Sequence, residues 1–330
     1  MRVLVTGGAG YIGSHAVKVL RRTGHEPIVL DNLYRGHREA VPPDVPFYHA
    51  DLADGPTLRR ILAQHEIECV MHFAALAYVG ESVTEPLKYY ANNTAGAISL
   101  LDAMRQTGVR RMVFSSTCAT YGEPERVPIV ETLPQRPINP YGRSKYFVEQ
   151  ILADEAEADD QFAYAALRYF NVAGAAADGS LGEDHDPETH LIPSVLLTVL
   201  GLREKITVFG TDYPTPDGTC IRDYIHVEDL CEAHVTAMAA LRPGDRRIYN
   251  LGIGKGYSVR EVIDSARRVT GRPVAIEYGA RRPGDPAVLY ADASKIRAEL
   301  GWEPRYRDID EIVATAWNWF ARHPQGYASG

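Results

Sequence analysis

"RVLVTGGAGYIG", residues 2–13, sets a short apolar run directly against a cluster of glycines. Continuous aliphatic residues make Arg2–Thr6 a buried β-strand, and a helical pattern takes over after the glycines, runs to about Thr23 and is closed by Gly24. Gly7, Gly10 and Gly13 are spaced G-x-x-G-x-x-G, one residue wider than the commoner G-x-G-x-x-G. A strand-to-helix turn of this kind needs residues without Cβ where the backbone bends and where a pyrophosphate must reach bare N–H groups. The helix N-terminus then favours its negative charge. Asp31 closes the next apolar run, "EPIVLD", 18 residues after Gly13, near the roughly 20 expected of a ribose-binding acid. A carboxylate there accepts hydrogen bonds from both ribose hydroxyls and repels a 2′-phosphate. NAD is therefore expected rather than NADP, with Arg35 as the one nearby cation that argues the other way.

Outward from this turn the theme repeats. "VPFYHAD" (45–51), "ECVMHFAA" (68–75), "RRMVFSS" (110–116) and "FAYAALRYFN" (162–171) are apolar runs with polar punctuation. Helical stretches over 56–65, about 86–107 and 141–158 lie between them. Strands alternating with helices imply parallel βαβ units, and hence an α/β fold with a doubly wound parallel (Rossmann) sheet. After about residue 174 glycine and proline become frequent and the elements shorter, which predicts a smaller C-terminal α/β substrate domain. The expected division is 1–172 for NAD and 173–330 for the substrate, with some later segments returning to the first domain. Ser258 and Glu261 form a capping box ahead of one helix in the second part.

The 330 residues are 45% hydrophobic and 24% charged, an ordinary globular composition. A net charge of −8 with the two signs interspersed gives no long-range attraction for nucleic acid or an anionic membrane. Any phosphate must be held locally. No stretch resembles a signal peptide or a membrane-spanning helix, so the cytoplasm is the expected location. Cys69, Cys118, Cys220 and Cys231 show no metal-ligand spacing; free thiols and no metal are expected. The acidic run 153–160 reads as a solvated helix end.

The strand ends carry the chemistry. Asp51 is placed to reach an adenine amino group, and small residues in "HFAALA" (72–77) let a flat cofactor lie against the backbone. His72 reads as a satisfied core histidine, whereas Asn92 fits a cofactor contact and an interior helix polar group equally well. "VFSSTCATYG" (113–122) ends its strand on the hydroxyls Ser115, Ser116 and Thr117, on the nicotinamide side of such a crevice. In "NPYGRSKYFVEQ" (139–150), Asn139 caps a helix, Pro140 suits its first position, and Tyr141 and Lys145 share a face. By itself this dodecamer fits a surface helix start. Set beside Thr117 and a nicotinamide, it is a proton-transfer unit: the lysine and the cationic ring are expected to lower the tyrosine from its ordinary pKa of roughly 10. A hydride acceptor beside a phenolate base is equipment for oxidising a secondary alcohol.

These features together resemble the extended short-chain dehydrogenase/reductases. "VTGGAGYIGSH", "LDNL", "HFAALAYVGESV", "NPYGRSK", "LRYFNVAGA", "IRDYIHVEDL", "YNLGIGKGYSV", "RRPGD" and "RHPQGY" resemble the UDP-galactose (UDP-glucose) 4-epimerases in particular. The resemblance implies an isomerase in which Tyr141 takes the proton of a sugar 4-hydroxyl as hydride leaves C4 for NAD. The 4-ketose turns over, and hydride returns to its opposite face. It implies Thr117, Tyr141 and Lys145 as catalytic residues. NAD contacts are implied from Gly7, Gly10, Tyr11, Ile12, Gly13, Asp31, Asn32, Asp51 and Leu52, and from Phe73, Ala74, Ala75, Ala77, Asn92, Ser115, Tyr141, Lys145 and Phe170. For the UDP-sugar it implies Thr117 and Tyr141, Asn171 on a phosphate, Arg222 and Arg282 clamping the diphosphate, Asp285 on the uridine ribose and Phe209 near uracil. Leu191 and Thr207 complete that set. By composition alone, Arg222, Arg282 and Asp285 would be surface ion pairs. A homodimer through helices of the first domain, including the one starting at Asn139, is also implied.

Departures narrow the chemistry. Related dehydratases carry an Asp-Glu pair after the hydroxyl residue and related decarboxylases a glutamate within it; here Cys118 and Ala119 stand there, and neither replaces a carboxylate. Thr189 and His190 occupy the place of an asparagine pair beside the diphosphate, so His190 is expected to make that contact. Leu289 stands where stricter glucose/galactose enzymes have tyrosine, which widens the expected substrates to UDP-N-acetylhexosamines and UDP-pentoses. Rival readings are another NAD-dependent nucleotide-sugar epimerase or oxidoreductase, and a non-catalytic NAD-binding sensor, which predicts loss of the tyrosine, the lysine or the arginines.

Overall fold

The computed structural model of the protein describes residues 1–282 and 286–327. Strands β1 (Arg2–Thr6), β2 (Glu26–Asp31), β3 (Phe47–His49), β4 (Cys69–His72), β5 (Arg111–Thr117) and β6 (Ala163–Tyr169) follow the apolar runs. Then come β7 (Asn171–Ala173), β8 (Ile206–Phe209), β9 (Ile221–His226), β10 (Arg246–Leu251), β11 (Gly256–Ser258), β12 (Ile276–Gly279) and β13 (Val288–Leu289). The large sheet runs β10-β6-β5-β4-β1-β2-β3 and every pairing in it is parallel.

Alternate residues of each strand feed two separate cores, as a pleated strand covered on both faces requires. Val3 and Val5, Cys69 and Met71, and Val113 point to the face covered by helices Tyr11–Arg22 and Val227–Ala240. Leu4, Val70, Met112 and Phe114 point to the face covered by Gly55–Gln64, Gly96–Thr107 and Pro140–Ala158. The chain winds outward from β1 to β3, then crosses back to β4 on β1's other side. Ligands bind at such a reversal, beyond the carboxyl ends of the two strands.

The later half divides its work. Helix Val227–Ala240 and strand β10 return to the large sheet, β10 pairing with β6 from Arg246–Tyr164 to Leu251–Tyr169. Ile296 of helix Ser294–Leu300 and Trp302 also join the large sheet's core, whereas helices Leu191–Val199, Val259–Thr270 and Ile309–Arg322 build a core of their own around the buried Trp319. Strand β9 links the two, pairing with β7 on its carboxyl half and with β11 and β13 on its amino half.

Candidate active site

The glycine turn is tight because nothing larger fits. Gly7 has φ +72°, a region L side chains avoid, and a Cβ on it would lie 2.6 Å from the Ala74 backbone nitrogen. A Cβ on Gly13 would overlap the Gly7 carbonyl oxygen. Turn and β4 loop therefore meet backbone to backbone, leaving a bare cradle at the first turn of the following helix. Asp31 is buried at the end of β2, where its carboxylate accepts from Ala9 N at 2.9 Å and Leu33 N at 2.8 Å. Burial raises its pKa, and these backbone donors oppose the rise. Asn32 donates to Asp51 at 2.8 Å, tying the ends of β2 and β3 together.

The loop after β4 is held by a residue the sequence reading passed over. Asn93 is buried; its Oδ1 accepts from Leu76 N at 2.8 Å, and its Nδ2 donates to Leu76 O and Ser144 Oγ, each at 3.0 Å. It sits with Asn92 in a π-helical turn, Tyr90–Ala95, an irregularity frequent at functional sites. Asn92 donates to Asn93 at 2.9 Å and faces the cavity described below. His72 is a core residue, its Nδ1 2.7 Å from Thr6 Oγ1.

Thr117 ends β5, and its Oγ1 accepts from Ala119 N at 3.2 Å. Asn139 caps the Pro140–Ala158 helix through Gly142 N at 2.8 Å. A Cβ on Gly142 would stand 2.5 Å from the Ala119 carbonyl, so glycine lets the helix start press against the strand end. Tyr141 and Thr117 consequently face the same cavity wall, and the nearby Thr117 hydroxyl works against the rise that burial gives the phenol. Lys145 is buried, donates to the Ser115 carbonyl at 2.8 Å and lies 4.9 Å from the Phe114 ring centroid.

The expected depression of the tyrosine is not found in the chain by itself. Burial pushes Tyr141 up to about 12, with the Thr117 hydroxyl pulling the other way, while burial takes Lys145 down to about 7. Burial dominates both shifts, and the Lys145 ammonium donates to the Ser115 backbone carbonyl. Beneath the pair, Arg168 and Glu149 form a buried ion pair at 2.5 Å, joined by Ser116 and by Gln135 at 2.9 Å. Ser115 hydrogen-bonds the Tyr169 hydroxyl. None of Glu149, Arg168 and Tyr169 figured among the expected site residues; burial of polar groups is their only signal, and it is invisible without the fold.

Turn, strand ends and helix start close round one cavity of about 420 Å³. Gly7, Gly10, Tyr11, Ile12, Gly13, Asp31, Asn32, Asp51 and Leu52 line one half of it. Phe73, Ala74, Ala75, Ala77, Asn92, Ser115, Thr117, Tyr141, Lys145, Phe170, Asn171 and His190 line the other. An elongated bare cradle, a buried acid at the second strand end and a hydroxyl cluster at the far end fit a dinucleotide such as NAD.

The profile of the NAD dependent epimerase/dehydratase family matches residues 3–252. The chain belongs to that family. Within the NAD dependent epimerase/dehydratase family it is 51% identical over 328 residues to a UDP-glucose 4-epimerase of Lactobacillus helveticus, covering 99% of each chain. It is 47% identical to a probable UDP-arabinose 4-epimerase of Oryza sativa subsp. japonica, with 99% of this chain and 84% of the relative covered. The solved UDP-glucose 4-epimerase of Brucella ovis in complex with NAD superposes with a TM-score of 0.93 at 50% identity, covering 97% of this chain and 98% of that one.

The residues expected for the far end of a ligand in this epimerase/dehydratase chain are placed differently. Leu191, Thr207, Phe209, Arg222, Arg282 and Leu289 lie outside the cavity's lining. Arg282 stacks on the Phe209 ring at 4.1 Å, so those two are brought together. Thr207 donates to Glu277 at 2.7 Å, and Leu191 opens its helix against the second core. Arg222 and Leu289 are register partners on β9 and β13, and Leu289 packs on the cluster that holds Phe170, Tyr121 and Ile129. Asp285 lies outside the described residues. His190 does line the cavity, but its Nδ1 is engaged by Glu183 at 2.8 Å and Glu188 at 2.9 Å. That neighbourhood, which includes His185, was absent from the expected site.

Proposed function

We propose that this chain is an NAD-dependent UDP-sugar 4-epimerase, its first 172 residues serving the dinucleotide and residues 173–330 the nucleotide sugar. The observation that carries the reading is that Tyr141, Thr117 and Lys145 stand together at the wall of the cavity that the glycine turn opens. Gly7, Gly10, Gly13 and Asp31 would hold the cofactor. NAD supplies, when bound, a reversible acceptor for the C4 hydrogen and a cationic ring. Tyr141 takes the proton of the substrate 4-hydroxyl and gives it back, Thr117 orders that hydroxyl, and Lys145 delivers positive charge to the phenolate side. Because the chain has Cys118 and Ala119 after Thr117, no carboxylate is available there to remove a second proton, so the ketone is returned rather than eliminated. Arg222, Arg282 and Asn171 are assigned to the diphosphate, with Phe209 and Asp285 on the uridine.

Leu289 supports a roomy sugar pocket, since it adjoins Phe170 with an aliphatic rather than an aromatic side chain. We assign the chain a homodimeric state and a cytoplasmic location, the latter in keeping with four free cysteines. Among the described residues no helix is long and apolar enough to cross a membrane. The test is an epimerisation panel of UDP-galactose, UDP-N-acetylglucosamine, UDP-xylose and UDP-glucuronate, read by product NMR. Turnover of UDP-galactose is expected, together with a pentose or N-acetyl substrate; no turnover of any of the four overturns the reading and favours a sensor.

A further inference from the structure

Glu183, His185, Glu188 and His190 follow the spacing E-x-H-x-x-E-x-H on the loop entering the Leu191–Val199 helix. One donor atom from each lies within 4.8 Å of all the others. His185 Nδ1 is 3.1 Å from Glu183 and 3.7 Å from Glu188, and His190 Nδ1 is 2.8 Å from Glu183 and 2.9 Å from Glu188. A tetrahedral ion with bonds of roughly 2.0–2.2 Å separates neighbouring donors by roughly 3.3–3.6 Å; the His–Glu separations of 2.8–3.7 Å lie on either side of that range, both histidines reaching the same Glu183 oxygen while His190 faces Glu188 Oε1 and His185 faces Glu188 Oε2.

The cluster is not a surface salt bridge. The Glu183 and Glu188 side chains are only 4% and 5% exposed, with His190 at 43% on the outer side, and Glu188 Oε2 is buried with no hydrogen-bond partner among the described residues, the His185 Nδ1 standing off at 3.7 Å. A buried carboxylate oxygen left without a donor is costly unless a cation meets it. The loop is braced from outside in the manner of ligands fixed in advance. Tyr78 OH donates to Pro187 O and Arg203 to Glu188 O, each at 2.9 Å, and His190 N donates to Glu188 Oε1 at 2.7 Å.

We propose that Glu183, His185, Glu188 and His190 form a structural four-coordinate site for a divalent transition metal of the zinc class. Two imidazoles and two carboxylates are a borderline nitrogen and oxygen set that suits zinc; calcium and magnesium demand six or more oxygens. Two carboxylates neutralise a dication, and with all four positions filled by the chain no place is left for a reacting water. The site braces the cavity wall: His185 meets the Tyr11 ring edge-on at 6.3 Å and the Tyr78 ring at 6.2 Å. This departs from the absence of metal expected from the four cysteines.

The test uses the untagged full chain, stripped with a chelator. Co²⁺ added to it is expected to give the visible d–d absorption of a tetrahedral site, saturating at one equivalent and bleached by Zn²⁺. Elemental analysis after gel filtration is expected to find one zinc per chain. The E183Q/E188Q double variant should lose both signals and H190N should weaken zinc binding at least tenfold. Zinc that gel filtration removes, or a cobalt spectrum of octahedral type only, overturns the site and leaves a His–Glu ion-pair cluster. So does undiminished binding by the double variant or, should that variant not fold, by H190N. These readouts need no turnover, so their failure is separate from failure of the epimerase reading.

Discussion

At the scale of the residue, Tyr141 and Lys145 carry opposite costs from one cause. Burial raises the phenol to about 12 and lowers the ammonium to about 7, each shift favouring the neutral form of its group. Removing the phenol oxygen in Tyr141→Phe deletes the proton acceptor, and kcat is expected to fall by roughly 10²–10⁴-fold with NAD still bound. Near-wild-type rates by product NMR would exclude Tyr141 as the base. For Lys145 the sign follows from linkage. Unfolded, the lysine holds its proton up to its ordinary value of 10.5; folded, it releases the proton near 7. The unfolded state thus binds more protons between those values, and wild-type stability rises with pH across that window and loses this contribution as pH falls towards 7. Lys145→Met has no such dependence. It is expected to be inactive yet more stable than wild type by about 1–3 kcal/mol near pH 6, out of at most about 5 kcal/mol in the span, with the advantage shrinking towards pH 10. Denaturant melts at pH 6, 8 and 10 check this, and a variant less stable at pH 6 contradicts it.

At the scale of the element, the glycine turn is where geometry is least forgiving. A methyl group on Gly13 would overlap the Gly7 carbonyl, so in Gly13→Ala the turn must open and withdraw its N–H groups from a pyrophosphate. NAD affinity by calorimetry is expected to drop at least 100-fold while the far-UV circular dichroism keeps its shape; binding within threefold of wild type would mean the turn does not cradle the cofactor. This element was legible in the sequence because strand, turn and helix are contiguous, and Asp31, Thr117 and Tyr141 likewise follow from being at strand ends or a helix start. What the sequence could not supply depends on contacts made at long range. The rise in Tyr141's pKa comes from burial, the Asn93 clamp joins residues 76 and 144, and the Glu149–Arg168 pair lies across two elements. Phe209 and Arg282 were named for separate parts of one ligand, yet they stack on each other. The Glu183–His190 spacing was readable in principle, and attention to cysteine spacing alone passed over it.

At the scale of the whole molecule, the exposed apolar side chains are unevenly distributed. Val79, Val83, Leu87, Ile98 and Phe147 are 45%, 62%, 80%, 49% and 42% exposed, and all five lie on helices Val79–Thr84, Pro86–Tyr89, Gly96–Thr107 and Pro140–Ala158. The Tyr90 and Phe147 rings, 5.9 Å apart, join the π-helical turn Tyr90–Ala95 to the Pro140–Ala158 helix. A large exposed apolar patch marks an interaction surface, and a single self-complementary patch gives a twofold dimer. The proposed homodimer is expected to bury this face. The choice ties assembly to chemistry, because the Pro140–Ala158 helix carries Tyr141 and Lys145 on one side and Phe147 on another. Packing against a partner would stiffen the helix start that presses on Ala119. Each substitution in such an interface enters twice, so L87R/F147D places two arginines and two aspartates in the apolar contact. Light scattering at micromolar concentration is expected to give twice the chain mass for wild type and the single chain mass for the variant, with a lowered melting temperature and reduced kcat. A variant that remains dimeric would put the interface on another face of the molecule.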